Sequence, residues 1–210
     1  MFKIRYKSHH DVGNVISKFT KNFKASKEDF ISLLEEVNIS KQLALYFHTP
    51  YCDKICSFCN MNRKQLDNDL EEYTKYICDE IKKYGAYKFC KTSEVDVVFF
   101  GGGTPTILKE HQLERIFRSI HENYNLSADC EFTLETTLHN LNLNKIKILE
   151  KGGVNRLSVG IQTFSDRGRK ILNRTFSKEE TVKRLRNLKE SFSGMVCTDI
   201  IYNYPNETVE

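Results

Sequence analysis

A chain of 210 residues is long enough for one sizeable core with a small appendage, and 40% hydrophobic with 29% charged residues is the balance of a globular protein. A net charge of +4 spread over many Lys and Glu residues is too mild to point to a nucleic-acid or membrane partner. No apolar run approaches bilayer length, and the N-terminal MFKIRYKSHHDVGNV lacks the apolar stretch of a signal peptide, while scattered cysteines with no disulfide framework lead to the expectation of a reducing cytoplasm.

In chain order, a Lys-rich stretch leads into SKEDFISLLEEVN, which reads as one capped helix, so residues 1–40 are expected to form an N-terminal helical segment. From there QLALYF (42–47), VDVVFF (95–100), EFTLET (131–136), RLSVGI (156–161) and VCTDII (196–201) read as short buried strands. Between them lie amphipathic stretches at 69–84, 110–124, 143–153 and 178–192, the third stopped by Gly152 and Gly153. Strand alternating with helix argues for βα units on a parallel sheet over residues 41–210. Periodicity alone does not separate an open doubly wound sheet from a closed or partial barrel. Pro50, Pro105 and Pro205 and the run Gly101-Gly102-Gly103 all follow strands, on the face where parallel α/β folds bind ligands.

Three of the seven cysteines, Cys52, Cys56 and Cys59, fall within eight residues as C-x3-C-x2-C. Such a loop can place three thiolates on three irons of a cubane cluster and leave the fourth iron open for chemistry. A zinc site completed by His48, or a chance group of buried thiols, also fits the loop taken alone. Cys78, Cys90, Cys130 and Cys197 are scattered, mostly in apolar segments, and read as packed core thiols rather than a disulfide framework.

CDKICSFC resembles the signature of the radical S-adenosylmethionine (radical SAM) enzymes. YFHTPYCDKICSFC, FFGGGTPTIL, EFTLETT, NRLSVGIQTFSDRGRKILNR and TDIIYNYPNET resemble, in order, motifs of the oxygen-independent coproporphyrinogen III dehydrogenase group. That group also holds heme chaperone-like proteins and anaerobic heme-utilisation methyltransferases. The resemblance implies a partial (β/α) barrel and a [4Fe-4S] cluster on Cys52, Cys56 and Cys59. It also implies SAM bound to the open iron and cleaved reductively to a 5′-deoxyadenosyl radical. It places Gly102, Gly103 and Thr104 at the SAM amino group, with part of that loop reaching a second SAM. Glu135 and Asp199 are expected at the ribose hydroxyls, Gln162 close by, and Arg174 as a planar donor to the SAM carboxylate. Tyr46 and Phe58 match positions beside the cluster and adenine. Arg167 and Arg169 are expected to be ordinary exposed helix arginines. Partners implied are a tetrapyrrole substrate and a flavodoxin- or ferredoxin-type electron donor.

Two departures bear on the reaction. Met61 stands where the group's dehydrogenases carry a further cysteine, and Tyr202 to Thr208 reads YNYPNET in place of the common YGLPGQT. Both favour methyl transfer or heme breakdown over the dehydrogenase reaction. Five strands are legible where the family has six units and a further domain, so the chain reads as a fragment or a truncated product.

Overall fold

The computed structural model describes residues 26–202. The Lys-rich N-terminal stretch, most of the YNYPNET motif and Pro205 lie outside the described residues.

Helix α1 (Lys27–Leu34) starts where the sequence places a cap. The Ser26 hydroxyl accepts from the Asp29 N–H while the Asp29 carboxylate accepts from the Ser26 N–H, so two free donors at the helix start are satisfied together. The chain then enters β1 (Gln42–Thr49), crosses a two-residue strand β2 (Tyr51–Cys52), and returns through β3 (Lys64–Gln65). Next come α2 (Glu71–Gly85) and the single turn α3 (Lys88–Lys91), then β4 (Glu94–Gly102), α4 (Glu110–Asn123) and β5 (Leu126–Thr136). The described chain closes with α5 (Leu143–Lys151), β6 (Arg156–Gln162), α6 (Asp166–Ile171), α7 (Lys178–Ser191) and β7 (Met195–Ile200). The five strands and four amphipathic helices expected from periodicity are all present. The β2–β3 ladder, α3 and α6 are additions too short to carry a period.

The main sheet runs β1-β4-β5-β6-β7, with every pair parallel. Each new strand adds to the same edge, with no reversal of direction across the sheet. A doubly wound sheet needs such a reversal, and its ligand crevice lies there. Monotonic order is instead the order of a (β/α) barrel, whose binding face is the ring of loops at the strand C-termini. Strand order thus decides between the two architectures that periodicity left open.

One face of each central strand packs on helices. Val98 and Phe100 of β4, Phe132 and Leu134 of β5, and Leu157, Val159 and Ile161 of β6 share one buried cluster with Leu113, Ile116, Phe117 and Ile120 of α4. Phe100 stacks on Phe132 at 5.8 Å, and Phe117 stands edge-on to both at 5.9 and 5.5 Å. Replacing one such ring by Ala costs about 3–5 kcal/mol, so this cluster is the main anchor of the sheet. The alternate residues, Glu131, Thr133 and Glu135 on β5 and Arg156, Ser158 and Gly160 on β6, point to the other side. That side is polar, as a barrel wall that holds a ligand requires.

Candidate functional site

The site forms where the C-terminal ends of five parallel strands meet the cysteine loop. Tyr51 and Cys52 of β2 pair with Lys64 and Gln65 of β3, and the Lys64 N–H donates to the Pro50 carbonyl at 2.7 Å. This ladder closes the base of the loop, so residues 53–63 project as a unit. Loops from the far strands then hold it. The Asn173 amide donates to the Ile55 carbonyl, and the Ser57 hydroxyl to that of Ile171, both at 2.8 Å. Asp53 pairs with His139 at 3.1 Å. Asn173 adopts φ +55°, a left-handed conformation that Asn tolerates better than most residues.

A cleft of about 220 Å³, open to solvent, lies against this loop. Cys52, Cys56 and Cys59 line it, as do Phe58, Gly102, Gly103 and Thr104. Glu135, Gln162, Arg174 and Asp199 complete the expected set from the far strands. Tyr46 is the exception. It lies outside this lining, 57% exposed on β1, stacked on Phe99 at 6.0 Å, and its hydroxyl meets His48 Nδ1 at 3.0 Å.

The sulfurs are arranged for a charged group. Burial raises the Cys52 thiol above its ordinary value, and the charges of Cys56 and Cys59 push it the same way. Held together as thiolates, the three sulfurs would need positive charge beside them. Arg174 supplies some, its guanidinium donating to Cys56 Sγ at 3.0 Å and to the Gly160 carbonyl. Its Nε is buried without a partner, a donor left for something that enters the cleft. The donor set of three sulfurs with no fourth cysteine fits a cubane with one open iron.

The zinc alternative fails on His48. Nε2 lies 2.8 Å from the Asn62 carbonyl, which can only accept, so Nε2 carries the proton and Nδ1 accepts from Tyr46. Both ring nitrogens are taken. Among the described residues no three His, Cys, Asp or Glu side chains converge as a single ion requires, whereas a cubane takes its thiolates on separate irons.

The glycine loop departs from a phosphate cradle. The Gly102 N–H donates to Glu135 Oε2 at 3.1 Å, that of Gly103 to the Thr49 carbonyl at 2.7 Å, and that of Thr104 to the Tyr51 carbonyl at 2.8 Å. With its donors spent, the loop has carbonyl oxygens to offer, which suits an ammonium and not an anion. Glycine is needed because the backbone is packed. A Cβ on Gly103 would lie 2.5 Å from the Tyr51 oxygen, and one on Gly102, at φ +107°, would lie 2.7 Å from the His48 ring.

Glu135 is the electrostatically strained member. Burial raises its carboxyl above the ordinary range, the Asp199 charge adds to this, and the Gly102 N–H pulls the other way. Asp199 accepts from the Ser158 hydroxyl at 2.9 Å. Gln162 ends β6 at φ +71°, beside an irregularity in the β6–β7 pairing. A left-handed glutamine is costly, and strain of this kind concentrates at binding sites.

Arg169 corrects the sequence reading. It is 4% exposed, and its guanidinium donates to the carbonyls of Ile161 (3.2 Å), Thr163 (2.8 Å) and Phe176. Its own carbonyl accepts the Arg174 N–H at 2.7 Å. It braces the turn that carries both Gln162 and Arg174. Helical context hid this, because the partners are carbonyls of a neighbouring strand and loop. Sequence reading also passed over Ser158, although the alternation Arg156, Ser158, Gly160, Gln162 along β6 puts it on the site face. Arg63 and Asn173 carried no such signal.

The family model described as "Radical SAM superfamily" matches residues 46–210. A bovine relative, "Radical S-adenosyl methionine domain-containing protein 1, mitochondrial", is 32% identical over 170 residues, covering 81% of this chain and 38% of its own. The heme chaperone HemW of Lactococcus lactis is 30% identical over 173 residues, with 82% and 44% covered. Anaerobilin synthase of Escherichia coli O157:H7 is 27% identical over 179 residues, with 85% and 40% covered. The solved coproporphyrinogen III oxidase HemN of Escherichia coli superposes with a TM-score of 0.78 at 26% identity, over 93% of this chain and 46% of that one. The chain thus spans less than half the length of these relatives. No helix among the described residues is long and apolar enough to cross a membrane.

Proposed function

Since the chain belongs to the radical SAM superfamily, we propose that it holds a [4Fe-4S] cluster and SAM in this cleft and acts on a tetrapyrrole. The convergence of three thiols, a guanidinium with an unused buried donor and a carbonyl-bearing glycine loop in one cleft carries the reading. Cys52, Cys56 and Cys59 are the iron ligands, and Thr104, 3.6 Å from Cys52 Sγ, supports one of them. When bound, the cluster supplies the electron that cleaves SAM. Arg174 receives the methionyl carboxylate, and the carbonyls around Gly102, Gly103 and Thr104 receive the ammonium. Glu135, Asp199 and Gln162 take the ribose side, and Phe58 and Tyr46 provide apolar surface near the cluster and adenine. A second SAM beside the first would use the outer part of the glycine loop. The electron donor is a flavodoxin- or ferredoxin-type protein, and a reducing cytoplasm suits the free thiols.

Met61 lines the same cleft. An apolar thioether there, in place of a cysteine, favours methyl transfer to heme or its ring opening over removal of propionate carboxyl groups. The test is anaerobic incubation of the cluster-loaded protein with reductant, SAM and heme, followed by mass spectrometry of the tetrapyrrole and quantitation of SAM. A methylated or opened macrocycle with SAM consumed is expected. Loss of two carboxyl groups from coproporphyrinogen III with heme unchanged would establish the dehydrogenase reaction. Heme bound without SAM turnover would establish a chaperone.

A further inference from the structure

Arg174 is one of two arginines in the cleft that keep a buried guanidinium nitrogen without a partner. The other is Arg63, whose Nε has no hydrogen bond and whose Nη1 reaches the Met61 carbonyl at a weak 3.4 Å. No ion pair among the described residues includes Arg63. A half-buried guanidinium with neither counter-charge nor full hydrogen bonding is costly unless a ligand completes it.

The two arginines belong to different walls. Arg174 is held on the β6 side by the Gly160 carbonyl. Arg63 follows Asn62, whose carbonyl is fixed by His48 of β1, and precedes the β3 residues that close the cysteine loop. We propose that Arg63 is a second carboxylate-binding point of the cleft, separate from the one at Arg174. It rests on the reading of the cleft as a SAM and tetrapyrrole site. A guanidinium presents parallel N–H donors that match the two oxygens of a carboxylate. Met61 lines the same cleft, so an apolar thioether shares it with that charge, the pairing that a propionate on an apolar macrocycle needs. The methionyl carboxylate of a second SAM is the other source of the same chemistry.

The cluster-loaded protein is titrated anaerobically with iron mesoporphyrin IX, which carries two propionates, and with its dimethyl ester, which carries none. SAM stoichiometry is measured in parallel by equilibrium dialysis. Wild type should bind the diacid about tenfold more tightly than the ester, as a hydrogen bond to a charged group gives. Arg63→Gln should erase that preference and leave ester affinity and iron content unchanged, while Arg63→Lys retains part of it. If Arg63→Gln instead keeps the preference and lowers bound SAM from two per chain to one, the carboxylate belongs to the second SAM. Wild-type porphyrin preference and SAM stoichiometry in both variants overturn the proposal. Failure of wild type to bind either porphyrin removes the tetrapyrrole reading, and the SAM arm then decides Arg63 by itself.

Discussion

Arg169 and Arg174 stand five positions apart and differ in what their guanidinium groups meet. Arg174 has one sulfur, one carbonyl and an unused Nε, whereas Arg169 spends its donors on three carbonyls. Arg174→Lys keeps the charge and loses the planar fork, so SAM affinity should fall by about 1–3 kcal/mol with little change in melting temperature. Arg169→Lys should instead lower stability by about 1–3 kcal/mol, because an ammonium cannot span carbonyls set apart by the fork. Paired isothermal titrations and thermal melts check both, and equal SAM loss without destabilisation at Arg169 would contradict the assignment. Glu135 gives a pH signature. Its carboxyl is raised from 4.5 in the fold, so the folded, cofactor-free protein holds that proton more tightly than the unfolded chain does. The stability this contributes is present below the unfolded value and is lost as pH rises through the higher folded one. Glu135→Gln should flatten that decline, be at least as stable as wild type at neutral pH, and bind SAM more weakly. Parallel melting curves across the same pH series for the two proteins would remove Glu135 as the cause.

At the scale of elements, the cysteine loop is set by segments that no periodicity announces. The β2–β3 ladder is two residues deep on each side, and the glycine loop leans directly on its first strand. Gly103→Ala would bring a Cβ to 2.5 Å from the Tyr51 oxygen and 2.9 Å from that of Thr49, both backbone atoms that cannot move alone. Displacing Tyr51 shifts Cys52 next to it. The variant should lose about 1–3 kcal/mol of stability, the usual cost of overpacking, and should also load less iron. Iron per chain and melting temperature measured together test this, and full loading at an unchanged melting temperature would show the contact to be loose. The longer elements were legible because each repeats its pattern several times. The apolar stripe of α4 and the alternation of β6 each give more than one full period. A four-residue turn such as α3 gives barely one.

Across the whole molecule, the core and the site lie on opposite faces of one sheet. The Phe100, Phe117 and Phe132 cluster packs on helices, while the thiols meet loops at the strand ends. Cluster loss should therefore disturb the site more than the fold. Cys56→Ala should hold far less than the about four irons per chain of a cubane and still melt cooperatively, while Cys78→Ala, Cys90→Ala and Cys130→Ala keep their iron. An unfolded Cys56→Ala chain, or iron retained without Cys56, would refute that separation. The sequence by itself determined the βα alternation and the three-thiol loop, because periodicity and short spacing are local properties that a chain carries before it folds, and its ordered motifs carried the membership of the superfamily. Only the tertiary structure gave the monotonic strand order behind the partial barrel that the motifs imply, and only it decided that His48 has no free nitrogen, that Arg169 is a brace and that Arg63 has no ionic partner. Those outcomes depend on which distant strand lies beside which, and on which carbonyl a guanidinium reaches once packing is complete. Local sequence does not encode them separately from the fold.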